Sequence, residues 1–188
     1  MTKEIPKNGL HTTYHKNGQI HREEYYKEGK EDGKQTWWHE NGQISNEGNY
    51  KDGKRDGKHT MWYENRRIKS EEYYKEGKED GKWTWWHENG QKEAEENYKD
   101  GKIIDGTVTI RDENGQKEAE SNFKDGKNDG KVTEWYKNGR IESEENWKEG
   151  KEDGKWTVWH KNGKIKEERN YKDGRLDGKV TLWYKNGQ

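Results

Sequence analysis

An all-β fold, an elongated single-layer antiparallel meander of about seven and a half stacked hairpin repeats, is predicted by three features of the sequence. First, a glycine recurs at Gly9, Gly33, Gly57, Gly81, Gly106, Gly130, Gly154 and Gly178, a spacing of 24 residues broken once by 25. Second, Asn-Gly pairs such as Asn17-Gly18, Asn41-Gly42 and Asn89-Gly90 separate two runs rich in Trp, Tyr, Thr, Ile and Val, a strong hairpin signal. Third, the aromatics are periodic in a chain that otherwise reads as disordered. With 23% hydrophobic residues, 41% charged residues and a mean hydropathy of −1.89, there is little apolar surface to offset chain entropy. Yet 11 Trp and 11 Tyr are present, and disordered chains are aromatic-poor.

Residues 1–8 read as a lead-in and 9–188 as the array. Counting the recurring glycine as position zero, the unit is G-K-x-T-x-W-[HY]-x-N-G-x-I-x-x-E-x-x-[YW]-K-[DE]-G-K-x-D. A three-residue x-Asn-Gly loop sets position 6 opposite position 10 and pairs odd positions with odd. That register gathers the apolar residues on one face, which a two-residue turn would not do. The predicted face carries Trp38, Trp62, Trp86, Trp135, Trp159 and Trp183 at position 5. It also carries Tyr26, Tyr50, Tyr74, Tyr98, Phe123, Trp147 and Tyr171 at position 17, with Ile20, Ile44, Ile68, Ile141 and Ile165 at position 11. Breaks at Lys92, Arg111, Asp112 and Lys117 sit beside the one inserted residue and mark a kink or a distinct patch. These ladders are candidates both for packing and for binding, because contiguous exposed Trp and Tyr mark interaction sites.

The second turn string, Gly-Lys-x-Asp-Gly, is read as a five-residue loop. It places the Glu of position 14 opposite position 6 of the next unit: Glu23 with His39, Glu47 with Tyr63, Glu71 with His87, Glu120 with Tyr136, Glu144 with His160 and Glu168 with Tyr184. The expectation is an inter-repeat ladder of carboxylates and His or Tyr donors, with Glu95 and Asp112 the one misfit.

Composition excludes several functions. Net charge is −1 with both signs interspersed, so no basic field suits nucleic acid. With no Cys, disulfide and thiol chemistry are absent. His15, His39, His87 and His160 share position 6, but adjacent units stand about 9.6 Å apart, too far to share a metal whose ligands lie about 2.0–2.1 Å away. Asp52 and Asp56 lack the further alternating ligands of a calcium loop, and turn chemistry explains them. No metal, cofactor or catalytic constellation is expected. Met1-Thr2-Lys3-Glu4-Ile5-Pro6 lacks an apolar signal core, so the chain as written is expected in the cytoplasm, or outside if a leader has been removed.

Two stretches carry a family likeness. Glu47-Gly48-Asn49-Tyr50-Lys51-Asp52-Gly53-Lys54-Arg55-Asp56-Gly57-Lys58 resembles the E-G-x-[WY]-x-x-G-x-x-x-G run of the MORN repeat, and Trp62-Tyr63-Glu64-Asn65 its aromatic-aromatic-x-[ND]-G, with Arg66 in place of the Gly. The bacterial MORN variant is the form it resembles, over essentially Gly9 to Gln188. The chain departs from the pattern where a bulkier residue, Glu or Ser among them, replaces the Gly of the E-G pair in most repeats. The resemblance implies stacked hairpins in a twisted sheet and a non-catalytic scaffold that binds a partner protein, in the antitoxin-like manner often ascribed to such bacterial proteins. Eukaryotic relatives imply membrane scaffolding instead. Trp/Tyr hairpins with Asn-Gly turns are also similar to choline- and glucan-binding modules, which implies a glycan or cell-wall ligand as the alternative. Self-association through open sheet edges is a further expectation.

Overall fold

The computed structural model describes residues 6–188, so residues 1–5 of the expected lead-in lie outside the described residues. Every regular element among the described residues is a β-strand. The described residues form two compact units, 6–92 with Asn97–Gly101, and Glu93–Glu96 with Lys102–Gln188. One antiparallel sheet runs from Gly9–Tyr14 to Lys102–Ile103 and a second from Gly106–Arg111 to Thr181–Leu182. In both, the chain pairs back and forth in sequence order as a meander requires, with the short strands Lys78–Glu79, Lys151–Glu152 and Arg175–Leu176 lying against the same partner strand as the segment that follows each of them.

The strands Lys30–Trp38 and Ile44–Lys51 show how one repeat is built. Their loop has three residues, as expected. The amide of His39 donates to the carbonyl of Gln43 at 2.8 Å and that of Gly42 to His39 at 2.9 Å, with Gly42 left-handed at φ 81°. The Asn41 carboxamide oxygen accepts the Gln43 amide, the self-capping that makes Asn a turn residue.

The register beyond that loop departs from the expectation. Trp38 pairs with Ile44, but Trp37 then pairs with Asn46, leaving Ser45 as the extra residue of a β-bulge. The same shift recurs at Thr13/Tyr14, Met61/Trp62, Ile110/Arg111, Glu134/Trp135 and Val158/Trp159. Because side chains alternate with a period of two, one extra residue exchanges faces for the rest of the strand. Position 14 therefore pairs with position 3, as in Glu47 with Thr36, and position 17 with the glycine, as in Tyr50 with Gly33.

The connection between repeats is also tighter than the expected five-residue loop. Lys27 pairs with Lys30 across Glu28-Gly29, whose φ values of 52° and 78° define a type I′ turn. Asp52-Gly53, Glu76-Gly77, Asp125-Gly126, Glu149-Gly150 and Asp173-Gly174 repeat it. The recurring glycine that opens each unit in the sequence lies instead inside a strand, at a second bulge. There Glu24 pairs with Gln35 and Tyr26 with Glu31, so Asp32-Gly33-Lys34 bow out opposite Tyr25. Gly33 has φ 112°, and a Cβ on it would stand 3.3 Å from the Tyr25 Cβ. Both conformation and space demand glycine there.

Candidate functional site: two unlike sheet faces

The two bulges sort the side chains into a Trp face, bearing positions 1, 3, 5, 11 and 14, and a Tyr face, bearing positions 2, 4, 13, 15 and 17. The expected single aromatic face is therefore corrected. Trp38, Trp62, Trp86, Trp135, Trp159 and Trp183 share the Trp face with the isoleucines, whereas Tyr26, Tyr50, Tyr74, Tyr98, Trp147 and Tyr171 line the opposite side.

On the Tyr face of the first unit the rings stack in sequence. Trp37 meets Tyr50 at 6.4 Å between centroids, Tyr50 meets His59 at 5.3 Å, and His59 meets Tyr74 at 5.1 Å. Tyr74 meets Trp83 at 5.1 Å and Trp83 meets Tyr98 at 4.9 Å. Such edge and tilted geometries are the favourable ones for aromatic pairs. Between the rings runs a buried polar row, in which Glu24, Gln35, His59 and Ser70 are the most enclosed side chains of the described chain. Position 2 has a defined task. The bulge leaves the carbonyl of position 16 facing it, and Gln35 Nε2, His59 Nε2 and Trp83 Nε1 donate to Tyr25, Asn49 and Tyr73 respectively at 2.9–3.0 Å.

His59 fits because Gly48 lies beneath it. A Cβ on Gly48 would come within 2.1 Å of the imidazole. Burial holds the His59 pKa below its ordinary value. Glu72 accepts from Ser70 Oγ at 3.1 Å and from Tyr74 Oη at 2.9 Å, and burial together with that carboxylate pushes the Tyr74 phenol up to about 12. Arg55 Nη1 also donates to Tyr74 Oη, at 2.7 Å. Two repeats earlier in this row, Glu24 is held by Arg22 at 2.9 Å and by Tyr26 Oη at 3.3 Å. In the second unit, Tyr171 packs on Trp156 at 5.2 Å and Arg169 covers the same indole at 4.3 Å. Trp147 Nε1 donates to Glu145, whose carboxyl is raised chiefly by burial.

The Trp face is more open. Thr36, Thr60, Thr84, Thr133 and Thr157 are buried along its midline, flanked by ion pairs between positions 1 and 14: Lys34–Glu47 at 2.7 Å, Lys58–Glu71 at 2.6 Å, Lys131–Glu144 at 3.1 Å and Lys155–Glu168 at 2.5 Å. Beside them the Trp column stays half-buried, and Ile44 remains 38% exposed and Tyr14 58% exposed.

The expected Glu–His/Tyr ladder is corrected in its acceptor. Position 6 does stitch successive repeats together, but its partner is the backbone carbonyl of position 5 one repeat on. His15 reaches Trp38 at 2.8 Å, His39 reaches Trp62 at 3.0 Å, and Tyr63 reaches Trp86 at 2.8 Å. Tyr136 reaches Trp159 at 2.7 Å and His160 reaches Trp183 at 3.0 Å. The carboxylates Glu47, Glu71, Glu144 and Glu168 turn to the lysines of their own repeats, and Glu120 to Lys117 and Thr109. Glu23 lies across from Thr12 and Thr36 rather than His39. The cause is the type I′ turn together with the bulge that follows it, which set position 14 opposite position 3 of the next repeat, as in Glu47 with Thr60. His39, His15 and His160 thus spend Nε2 on carbonyls, a structural use of the shared histidine position.

The aspartates of the turn string also have structural partners. Asp56 accepts the Glu76 amide at 3.2 Å, Asp129 that of Glu149 at 3.0 Å, and Asp105 that of Asp125 at 2.8 Å. Each ties one turn to the next.

Repeated hairpins that donate side chains into their neighbours' backbones define a β-hairpin repeat protein. A model of the MORN repeat variant matches residues 7–28, 31–52, 79–100, 104–125, 128–149 and 152–173. These stretches cover more than half of the chain, and the chain belongs to the MORN repeat variant family. Each match ends at the first residue of a type I′ turn, at Glu28, Asp52, Asp100, Asp125, Glu149 or Asp173, so the matched span is the strand–loop–strand frame seen here. The repeat left unmatched carries Arg66 in its loop, left-handed at φ 68° where the others have Gly. Comparison with curated proteins finds no match.

Proposed function

We propose that the chain is a non-catalytic scaffold that binds a partner protein through the Trp face. MORN repeats are generally associated with binding and scaffolding roles, and one observation favours this face. The rings of the Tyr face, themselves mostly half-buried, are engaged by one another and by a buried polar row, whereas the half-buried Trp–Ile column runs beside a rim of Lys–Glu pairs and leaves Ile44 exposed. An apolar strip with a charged rim is the anatomy of a protein interface, and Trp is prominent among the residues that dominate binding energy. An antitoxin-like engagement, in which the bound partner is inhibited, is one form of this function. The test is a photo-crosslinking residue in place of Ile44 on the Trp face, compared with one in place of Trp37 on the Tyr face. Capture of one native protein from Ile44 alone, lost on adding unlabelled chain, is the expected result. Equal capture from both sites, or from Trp37 alone, overturns it.

A glycan ligand is the second reading, favoured by an open pocket lined by Glu118, Trp135, Tyr136, Asn138 and Glu142, with Lys137 and Lys161. An aromatic floor with a carboxylate and amide rim suits a sugar ring. Binding to a glycan array, abolished by Trp135→Ala, would favour this reading over the first.

A further inference from the structure

The eight hairpin loops, seven Asn-Gly and one Asn65-Arg66, cap themselves alike except for one, and the exception concerns covalent chemistry. In seven of the eight loops the position-8 Asn is fixed by its own carboxamide oxygen, which accepts the amide two residues on: Gln19 from Asn17, Gln43 from Asn41, Arg67 from Asn65, Gln91 from Asn89, Arg140 from Asn138, Lys164 from Asn162 and Gln188 from Asn186. Several of these carboxamides also donate Nδ2 to the next loop, as Asn17 does to Glu40 and Asn138 to Lys161. The loop at 112–116 differs because position 6 is Asp112. Where His or Tyr reaches across to the next repeat, the shorter, acceptor-only carboxylate turns into its own loop. It accepts the amides of both Asn114 and Gln116 at 2.9 Å. Gln116 is the donor that Asn114 would otherwise hold. Among the described residues, the exposed Asn114 carboxamide has no hydrogen bond.

We propose that Asn114 is a spontaneous modification site of this chain, converted through a succinimide to aspartate and isoaspartate. The Gly115 backbone nitrogen, on losing its proton, attacks Cγ of Asn114. The N–Cγ bond forms, the Cγ–Nδ2 bond breaks and the side-chain nitrogen leaves as ammonia. Water then opens the five-membered ring at either carbonyl, with no change of oxidation state. Glycine at the following position leaves the attacking nitrogen unshielded. In the other loops the carboxamide is held by its hydrogen bonds and must release them before it can turn toward that nitrogen. The product adds a carboxylate beside Asp112 and Glu113, and the isoaspartyl form lengthens a three-residue loop by one backbone carbon.

The sequence supplies an internal control. Residues 88–95 and 113–120 are the same octet, Glu-Asn-Gly-Gln-Lys-Glu-Ala-Glu, so the two sites have equal local chemistry. The attacking nitrogens are held alike, Gly90 donating to His87 at 2.8 Å and Gly115 to Asp112 at 2.9 Å. What differs is the position-6 side chain, His87 or Asp112, and with it the carboxamide, which accepts the Gln91 amide at Asn89 and is displaced from the Gln116 amide at Asn114. The intact chain is incubated at neutral pH and the tryptic peptides 83–92 and 112–117 are followed by mass spectrometry with isoaspartate-resolving fragmentation. Asn114 is expected to convert several-fold faster than Asn89 in the folded protein and at the same rate in urea. Asp112→His is expected to bring Asn114 down to the Asn89 rate. Equal rates in the folded chain overturn the proposal. So does an unchanged Asn114 rate in Asp112→His while Asn89 stays slow, since a slow Asn89 reports that the fold is intact.

Discussion

His59 and Gly48 form one steric unit, and neither residue alone reveals it. The imidazole is 1% exposed, donates to Asn49 and occupies the space where a Gly48 side chain would stand. Gly48→Ala is expected to destabilise the protein by about 2 kcal/mol or more, at the upper end of overpacking costs, as read by urea unfolding. The added His59→Ala should relieve part of that loss, whereas additive losses would disprove the steric coupling. The sequence did hold a signal for the pair. Gly48 is the one glycine at position 15, where the other units carry Glu, Ser or Arg. A glycine among bulky equivalents marks a place where something large lies against the backbone, but naming the large residue required the bulged register. Arg66 is the opposite case, a side chain forced into the left-handed region at φ 68°. Arg66→Gly is expected to raise the thermal midpoint, the gain limited to about 1 kcal/mol by added chain entropy in the unfolded state.

At the level of strands and turns, the Asn-Gly loop was legible because its chemistry is local: Asn caps itself and Gly takes the left-handed conformation. The bulges were not, because nothing in an apolar pattern distinguishes one extra residue from continued alternation. Placing the position-17 aromatics with the position-5 tryptophans was the natural outcome of unbroken alternation, and Ser45 and its equivalents undid it. The Gly-Lys-x-Asp-Gly string misled for a related reason. It holds two left-handed glycines, but only the first, paired with the preceding Asp or Glu, makes a turn. The second serves a bulge in the following strand. The aspartate between them is the structural link, so Asp56→Ala is expected to leave the Glu76 amide without its carboxylate acceptor and to cost about 1 kcal/mol. Asp56→Asn, which keeps an acceptor, should restore most of it. Equal losses in the two variants would mean that the charge, and not the hydrogen bond, matters.

For the molecule as a whole, repeats that bond to their neighbours make stability a sum of local terms, and its response to pH should be local too. Burial lowers the folded-state pKa of His59 below the ordinary 6.5. Between that ordinary value and the lower folded one, the unfolded chain binds more protons than the folded chain, so stability falls as the pH drops through this window and is full above it. Amide exchange across that window, corrected for intrinsic rates, should show protection lost first in Lys54–Trp62 and in the strands beside it, Ile44–Lys51 and Ile68–Lys75. His59→Gln should abolish the loss, because Gln35 already fills the equivalent position with the equivalent bond to Tyr25. Glu145 runs the other way. Burial raises its pKa above the ordinary 4.5, so the ionised carboxylate weighs against folding at neutral pH, and protonation relieves it as the pH falls through the raised value. Glu145→Gln keeps an acceptor for Trp147 and should therefore stabilise the second unit at neutral pH, with the gain vanishing in acid. If both substitutions instead shift every strand of the chain equally, the two units unfold as one cooperative block and the local account fails.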